Sequence, residues 1–297
     1  MDTFVMQLFN GLSLSSILLL VGLGLSITFG IMGIINFAHG EFMMFGAYSV
    51  YLVQNLTYGL WGDFFFIFAI PASFFIAAGL GFLLERSIIR HLYNRPYESI
   101  LVTWGLSLIF QQASRNIFGA SNVDVRSPDW LKGGISISDT IQFPYNRIFI
   151  ILIAIIAIAV MYFYIYKTTN GLKMRAVMQN RAMGASMGIQ TRKVDSLTFA
   201  IGCGLAGLAG CVVSLLGSIG PSTGQNYIVD AFMVVVMGGV GSLAGTIAGA
   251  LMMGIISPLL EFFTTSSMGK VLVFIVVILF LQLKPKGFVT FKSRALD

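Results

Sequence analysis

Charged residues are scarce in this chain of 297 residues: they make up 10% of it, whereas hydrophobic residues make up 57%. A soluble domain carries roughly a quarter charged residues. The composition therefore excludes a soluble domain and indicates an integral membrane protein. No lysine or arginine precedes Arg86, and the start of the chain therefore lacks the basic region of a secretory signal peptide. We expect the first hydrophobic run to remain as a membrane span.

Cysteine and histidine are also scarce, with two of each. Cys203 and Cys211 share one apolar run, where they make neither a disulfide framework nor a metal-ligand set, and we interpret them as small helix-packing residues. The sequence has no phosphate-binding loop of the Gly-x-x-x-x-Gly-Lys-Ser/Thr type, and no Ser-His-Asp or paired-carboxylate arrangement. We therefore expect no metal, no cofactor and no enzymatic activity in this chain.

Long apolar runs are what the chain has in abundance. About 20 apolar residues cross roughly 30 Å of hydrocarbon as a helix, and a membrane barrel would instead show alternating segments of about 10 residues. The sequence predicts an all-α fold, a polytopic transmembrane helical bundle that forms a single domain over residues 1–297. Its eight apolar segments are approximately 11–34, 42–57, 64–84, 99–118, 148–166, 197–217, 228–263 and 269–283.

The net charge of +6 comes from basic residues in short connections between the apolar runs. This is the pattern of the positive-inside rule, so we expect membrane lipids and no nucleic acid as partners. Residues 85–98 and 167–196 are predicted to be cytoplasmic, three spans precede the first of them, and the N-terminus is predicted outside. Residues 119–147 are predicted to form an external loop. The basic tail, 284–297, is also predicted to be cytoplasmic, on the evidence of Lys284, Lys286, Lys292 and Arg294.

Two apolar segments are predicted to be interrupted. The segment 227–263 is too long for one span, and the stretch MGGVGS at 237–242 contains Gly238, Gly239 and Gly241, which cost roughly 1 kcal/mol each in a helix. We predict a re-entrant half-helix from about 228 to 237, a turn, and a helix to about 262. With this arrangement the chain crosses the membrane an even number of times between the loop 167–196 and the tail 284–297, as it must if both are cytoplasmic. The second interruption lies near 30–41, and such a pair of breaks indicates a binding site near the membrane midplane.

Polar residues within apolar runs are the candidates for a substrate pathway. The stretch NFAHGE supplies Asn36, His39 and Glu41, and ionisable groups at membrane depth are often functional. The alternative is a polar turn at the inner membrane interface, where it costs little.

The other pathway candidates lie in two later segments. Trp104, Gln111 and Gln112 lie in the fourth segment, where hydrogen bonding between helices explains them equally well. Asp230 follows Gln225 and Asn226 at the start of the predicted half-helix, where an aspartate also serves as a helix cap.

The loop 168–197 contains five basic residues and one acid, Asp195. Its centre is rich in alanine, methionine and glycine, which indicates a short helix that docks into a groove of a soluble partner. The candidate coupling residues are Arg181, Ala182, Met183, Gly184, Gly188 and Ile189.

The chain resembles, along essentially its full length, the membrane permease subunits of the branched-chain amino acid and urea ABC importers. The resemblance is carried by residues 10–48, by the Gly-Ile step followed by TRKVDSLTFAIG, and by FMVVVMGGVGSLAGT at 232–246. Residues 103–131 and 220–236 are similar to the urea-type permease of this family. In the family's coupling motif, Glu-Ala-Ala and then Gly, the matching positions are Ala182, Met183, Gly184 and Gly188, so the acidic residue is absent.

The resemblance implies a bacterial plasma (inner) membrane protein that works with a second homologous permease, two cytoplasmic ATPase subunits and an extracytoplasmic substrate-binding protein. The expected function is the pathway for urea uptake, driven by ATP hydrolysis on the other subunits. Urea is small and neutral, which agrees with the scarcity of charge inside the segments. Transport of branched-chain amino acids or short amides is the alternative, and a passive channel or secondary transporter is the rival from another class.

Overall fold

A computed structural model describes residues 2–93, 95–138, 141–285 and 287–289 of the chain. The helices are α1 Asp2–Met32, α2 His39–Trp61, α3 Phe65–Ser87, α4 Pro96–Phe118, α5 Tyr145–Lys167, α6 Thr169–Gln179, α7 Arg181–Ser186, α8 Thr191–Val213, α9 Thr223–Gly238, α10 Leu243–Phe263 and α11 Ser266–Leu283. Short 3₁₀ turns lie at Gly62–Phe64, Ile89–His91 and Asp129–Leu131, and two antiparallel strands, β1 Gly134–Ser138 and β2 Ile141–Pro144, lie in the loop before α5. The predicted all-α helical bundle is confirmed.

Helix α1 is the centre of the bundle. It packs against α5, α8, α9 and α10, and its apolar side chains are buried on all faces, as expected for a helix that is hydrophobic all round. Helices α5 and α11 lie at the periphery and expose apolar side chains such as Val160 and Ile278. These exposed faces suit hydrocarbon.

Six helical stretches in the described part of the chain are long and apolar enough to cross a membrane. They contain α1, α3, α5, α8, α10 and α11, whereas eight apolar segments were expected. Helices α2 and α4 are absent from this set, and both carry polar side chains within their length, such as Gln54 and Asn55 in α2 and Gln111 and Gln112 in α4. Helix α2 packs inside the bundle against α3, α8 and α9, whereas α4 lies at the edge and contacts α2 with a face that includes Ser107 and Gln111.

Small residues bring the helix backbones close together. A β-carbon on Gly46 of α2 would lie 2.1 Å from the carbonyl oxygen of Gly207 in α8, and one on Gly24 of α1 would lie 2.3 Å from that of Gly202. Such contacts between small residues are typical of helix packing in membranes. The glycines of α8 therefore serve close packing.

The segment that was predicted as an interrupted helix is a hairpin of two helices, α9 and α10. Helix α9 begins at Thr223, five residues before the expected start, and α10 ends at Phe263. A β-carbon on Gly245 would lie 1.9 Å from the carbonyl oxygen of Gly238, so the two helices pack closely beside the turn. Helices α8, α9, α10 and α11 therefore cross the bundle in alternating directions. Because there are four of them, the end of α11 lies on the same side of the bundle as the start of α8.

The loop between α4 and α5 covers the ends of α2 and α3. The backbone N–H of Arg126 donates to Gln54 Oε1 at 2.7 Å, and that of Asp129 donates to Asp63 Oδ2 at 2.9 Å. An isolated bridge pairs Val123 with Ile219 between α8 and α9. These contacts gather the connections of one face of the bundle, the face predicted to be external.

Candidate functional site

The first predicted break lies between α1 and α2. Gly33 has φ +63°, in the left-handed region that glycine adopts without strain, and its N–H donates to Phe29 O at 2.9 Å to end α1. Asn36 Oδ1 accepts the N–H of Ala38 at 3.0 Å, a side-chain turn that begins α2. The N–H of Phe37 donates to Thr103 Oγ1 at 3.2 Å and ties the break to α4.

Glu41 lies in a buried polar cluster between α2 and α4. Its Oε1 accepts from Ser107 Oγ at 2.7 Å and from Gln111 Nε2 at 2.8 Å, and the Glu41 side chain is 1% exposed. Ser107 is the central residue of α4, so the cluster lies at mid-helix depth. An exposed interfacial turn does not describe this geometry.

Several polar atoms in this region have no partner among the described residues: Glu41 Oε2, His39 Nδ1 and Asn36 Nδ2. His39 is fully buried, and its Nε2 lies 3.3 Å from Val21 O. An unsatisfied buried polar group costs about 1–3 kcal/mol. Such atoms are therefore candidates for a functional role.

The other α4 candidates lie elsewhere. Trp104 is 55% exposed, and Gln112 Nε2 donates to Asn116 Oδ1 at 3.2 Å on the outer surface of the helix. Of the three predicted α4 residues, Gln111 alone contacts the Glu41 cluster. Ser107 contacts both Glu41 and Gln111. Nothing in the sequence distinguishes it from the other small polar residues.

Asp230 lines a cavity of about 470 Å³ between α1, α9, α10 and α11. It does not cap a helix, because α9 begins seven residues earlier, at Thr223; the capping interpretation is therefore wrong. The polar lining residues are Asn226, Tyr227, Asp230, Ser257, Glu261, Ser266 and Lys270, and the apolar ones are Leu14, Met233, Val273 and Phe274. Gln225 is exposed and does not line this cavity.

The second break joins α9 to α10. Gly239 and Gly241 have φ +95° and +78°, and Ser242 Oγ caps α10 by accepting the N–H of Gly245 at 3.1 Å. Phe288 donates its N–H to Met237 O at 2.8 Å, and Val289 donates to Gly238 O at 3.2 Å. The start of the tail thus satisfies carbonyl groups at the end of α9; Lys286, Lys292 and Arg294 lie outside the described residues.

The second break meets the end of α1. The N–H of Gly241 donates to Ser26 Oγ at 3.2 Å, and a β-carbon on Gly30 would lie 2.6 Å from Gly241 Cα and 2.8 Å from Met178 Cε. Met178 belongs to α6, in the loop between α5 and α8. One side chain of the predicted coupling loop therefore touches both helix ends, a contact that sequence spacing alone could not indicate.

Helices α6 and α7 form the predicted coupling loop, and the short helix expected at its centre is present. Asn180 Oδ1 accepts the N–H of Met183 at 2.9 Å to begin α7. Gly188 has φ +81°, and the N–H of Ile189 donates to Gly184 O at 3.1 Å to close it. This is the geometry of a glycine-terminated helix end.

The exposed part of this loop is an apolar notch. Ala182 and Met183 are exposed, and Met183 and Met187 are 63% and 77% exposed. A cavity of about 360 Å³ is lined by Ala176, Gln179, Asn180, Met183, Gly184, Met187 and Ile189. An exposed apolar notch is typical of a surface that binds a protein partner.

Arg181 points inward and not toward this notch. Its guanidinium donates to both carboxylate oxygens of the fully buried Asp195, at 3.1 and 2.5 Å, and lies over the Tyr93 ring at 5.2 Å. Burial and the hydrogen bond to Glu85 raise the pKa of Tyr93 above its usual value, so the phenol stays protonated and donates to Glu85 Oε1 at 2.6 Å. Arg181 anchors α7 to α8.

These features define a class of protein: a helical membrane transport subunit in which the second helix break meets the end of α1 beneath an exposed helix pair. The family model described as "Branched-chain amino acid transport system / permease component" matches residues 7–281. The chain belongs to this family, and it is a multi-pass inner-membrane protein.

Its relatives cover nearly the whole chain. The "High-affinity branched-chain amino acid transport system permease protein LivH" of Salmonella typhimurium is 28% identical over 292 residues, which are 96% of this chain and 94% of the relative. The corresponding protein BraD of Pseudomonas aeruginosa is 29% identical over 298 residues, 96% of this chain and 95% of the relative. The permease protein LivM of Escherichia coli is 27% identical over 281 residues, 86% of this chain and 64% of the relative. No solved structure matches the chain at a significant level.

These relatives confirm the resemblance to branched-chain amino acid permeases. They support a transport subunit without enzymatic activity of its own. They do not support the urea-type assignment, which stays a prediction.

Proposed function

We propose that this chain forms half of the membrane pathway of an ATP-driven importer of branched-chain amino acids. The observation that carries the proposal is the family match over residues 7–281, together with relatives that are aligned over 94–95% of their own length. The other half of the pathway would be a second, homologous permease, since a relative of that kind, LivM, is 27% identical to this chain. Two cytoplasmic ATPase subunits and an extracytoplasmic binding protein complete the proposed complex.

The notch on α6 and α7 is the proposed contact with an ATPase subunit. A partner side chain seated between Met183 and Met187 would move α6 together with α7. Met178 would then move against Gly30 and Gly241, where the end of α1 meets the second helix break. ATP binding would in this way change the packing of α1 against the α9–α10 hairpin.

The cavity at Asp230 suits an amino acid. Lys270 could pair with a carboxylate, and Asp230 and Glu261 with an ammonium group, while Met233 and Phe274 provide an apolar wall. A zwitterion requires charged partners of both signs, and a branched aliphatic side chain gains from burial against apolar groups. This chemistry favours the amino-acid substrate over urea.

Urea is the second candidate, favoured by the contact between the end of α1 and the second helix break. The groups that meet there are backbone, the Ser26 hydroxyl and the Met178 thioether, all of them neutral. A neutral diamide could cross such a constriction by exchanging hydrogen bonds with the backbone.

The test is uptake by the complex reconstituted in vesicles with its partner subunits and binding protein. We expect ATP-dependent accumulation of labelled leucine. Accumulation of labelled urea instead would replace the amino-acid substrate with the second candidate. Uptake of either solute by the permease pair alone, without ATPase subunits, would contradict the importer mechanism.

A further inference from the structure

A basic pocket lies where the end of α3 meets the start of α8. Its volume is about 440 Å³, and it is lined by Phe82, Glu85, Arg86, Arg90, Arg192, Lys193, Ser196 and Leu197. We call it the basic pocket, after its four cationic residues: Arg86, Arg90, Arg192 and Lys193. It lies beside the coupling loop but is distinct from the notch on α6 and α7, with which it shares no lining residue.

The cations of the basic pocket form no ion pair with an acid in the part of the chain that the structure describes. The ion pairs found among the described residues are Arg95–Glu98, Lys132–Asp129 and Arg181–Asp195, and none involves these four side chains. The acid in the wall, Glu85, accepts hydrogen bonds from Tyr93 and Ser196. The pocket therefore carries four positive charges against one negative, a net charge of +3.

The first turn of α8 adds to this positive potential. Arg192 and Lys193 lie in that turn, and Gln190, the residue before the helix, makes no side-chain cap. The free N–H groups of a helix start carry partial positive charge and favour anions. Charge and helix direction together make the pocket a site for an anion such as a phosphate group.

One wall of the pocket is apolar and continuous with the surface of α3. Leu197 is 46% exposed, and Leu83 and Phe75, farther along α3, are 64% and 70% exposed. These side chains are exposed on helical stretches that are long and apolar enough to cross a membrane. A soluble phosphate gains nothing from this wall, whereas the acyl chains of a lipid would lie along it.

We propose that the basic pocket binds the headgroup of an anionic phospholipid of the cytoplasmic leaflet, with a headgroup of two phosphates filling it best. Basic pockets between membrane helices on this side of the bilayer suit such headgroups. The bound lipid would hold the end of α3 against the start of α8 and so brace the anchor of the coupling loop.

The experiment uses the full-length protein in a neutral detergent, titrated with cardiolipin, with phosphatidylcholine and with inorganic phosphate. Lipid adducts are counted by native mass spectrometry. We expect cardiolipin to bind in preference to phosphatidylcholine. The variant Arg86→Gln/Arg90→Gln should bind it roughly 25-fold more weakly, because each cation near a membrane surface contributes about fivefold.

The control is Lys167→Gln/Lys173→Gln, which removes the same charge from exposed positions at the end of α5 and in α6, outside the basic pocket. It should bind cardiolipin like the wild type. Equal binding by the two double variants, or no preference of the wild type for cardiolipin, would overturn the proposal.

Two further results would assign the pocket to another ligand. If millimolar inorganic phosphate displaces the lipid from the wild type completely, the site is one for a soluble anion. If Arg86→Gln/Arg90→Gln leaves lipid binding intact but abolishes association with the ATPase subunits, the pocket belongs to the protein interface. Either result excludes the lipid assignment.

Discussion

Replacing Gly30 by alanine should impair transport through a single contact. The added β-carbon would lie 2.6 Å from Gly241 Cα, well inside the distance of about 3.5–4.0 Å at which carbon atoms attract. Gly30 lies within helix α1, and alanine fits a helix better than glycine. The substitution therefore adds no backbone strain, and its effect comes from pushing α1 away from the α9–α10 turn and from Met178 Cε, which would lie 2.8 Å from the new β-carbon.

The expected magnitude follows from the distances. Relieving the overlap requires the backbones to separate by about 1 Å, and overpacking of this kind costs about 1–3 kcal/mol. If one transport state has the close contact and the other does not, this energy changes the balance between the states by about 5- to 150-fold. Uptake should fall within that range.

The assay is ATP-driven uptake in vesicles, measured beside the ATPase rate and the thermal unfolding of the permease. Gly33→Ala is the matched control: Gly33 has φ +63°, but its β-carbon would meet no atom within 4 Å. The Gly33→Ala protein should lose about 1–2 kcal/mol of free energy of unfolding, because alanine disfavours the left-handed conformation. Its uptake per folded molecule should be unchanged.

A second variant, Met178→Ala, separates the effect of the overlap with the Gly241 backbone from that of the overlap with the Met178 side chain. It should not rescue Gly30→Ala, because the overlap with Gly241 Cα persists. It should partly rescue Gly241→Ala, whose nearest contact is Met178 Cε at 2.6 Å. If Gly30→Ala transports like the wild type, the contact between the two breaks does not control the pathway.

Four other substitutions test the remaining parts. Gly188→Leu should retain membrane insertion but uncouple ATPase activity from uptake, because Gly188 has φ +81° and shapes the end of α7; unchanged uptake would count against the coupling role. Arg181→Met leaves Asp195 buried without its partner; because the Arg181 side chain is 42% exposed, the loss should be smaller than the about 3–5 kcal/mol of a fully buried pair but should still lower the unfolding temperature of the detergent-solubilised permease. Glu41→Gln keeps the size, the buried position and an acceptor oxygen for Ser107 and Gln111, but it removes the ionisable carboxyl and places an NH2 group where Oε2 has no partner among the described residues; we expect uptake to fall at least tenfold with normal expression, and full activity would assign Glu41 to packing. Lys270→Met should weaken leucine transport more than urea transport in the reconstituted complex, and equal loss of both would argue against a carboxylate partner at Lys270.

The sequence predicted well those features that depend on local chemistry. Low charge and long apolar runs indicated the helical bundle, and the left-handed glycines Gly33, Gly239 and Gly241 produced breaks at the expected positions. The short helix α7 also lies where the loop composition indicated. Each of these features follows from a property of a few neighbouring residues.

Features that depend on distant contacts could not be read from the sequence. Arg181 was expected on the partner surface, but it pairs with Asp195, 14 residues away. Asp230 was compatible with a cap until the start of α9 was known, and Gln111 differs from Gln112 only in the face of α4 it occupies. A periodic pattern is weak in helices that are apolar on most faces, so the sequence did not show which face is internal.

The contact at Met178 gives a physical reason for both breaks to lie where they do. Two continuous helices could also pack closely, but each would move as a rigid body, so a local displacement would have to shift the whole helix. The glycine turn lets the start of α10 move independently of α9, and Gly30 lets α1 follow it at backbone contact distance. Methionine is unbranched and flexible, so Met178 can keep touching both as α6 shifts. A displacement at the surface of α7 could therefore reach the two breaks through one side chain, without a rearrangement of the bundle.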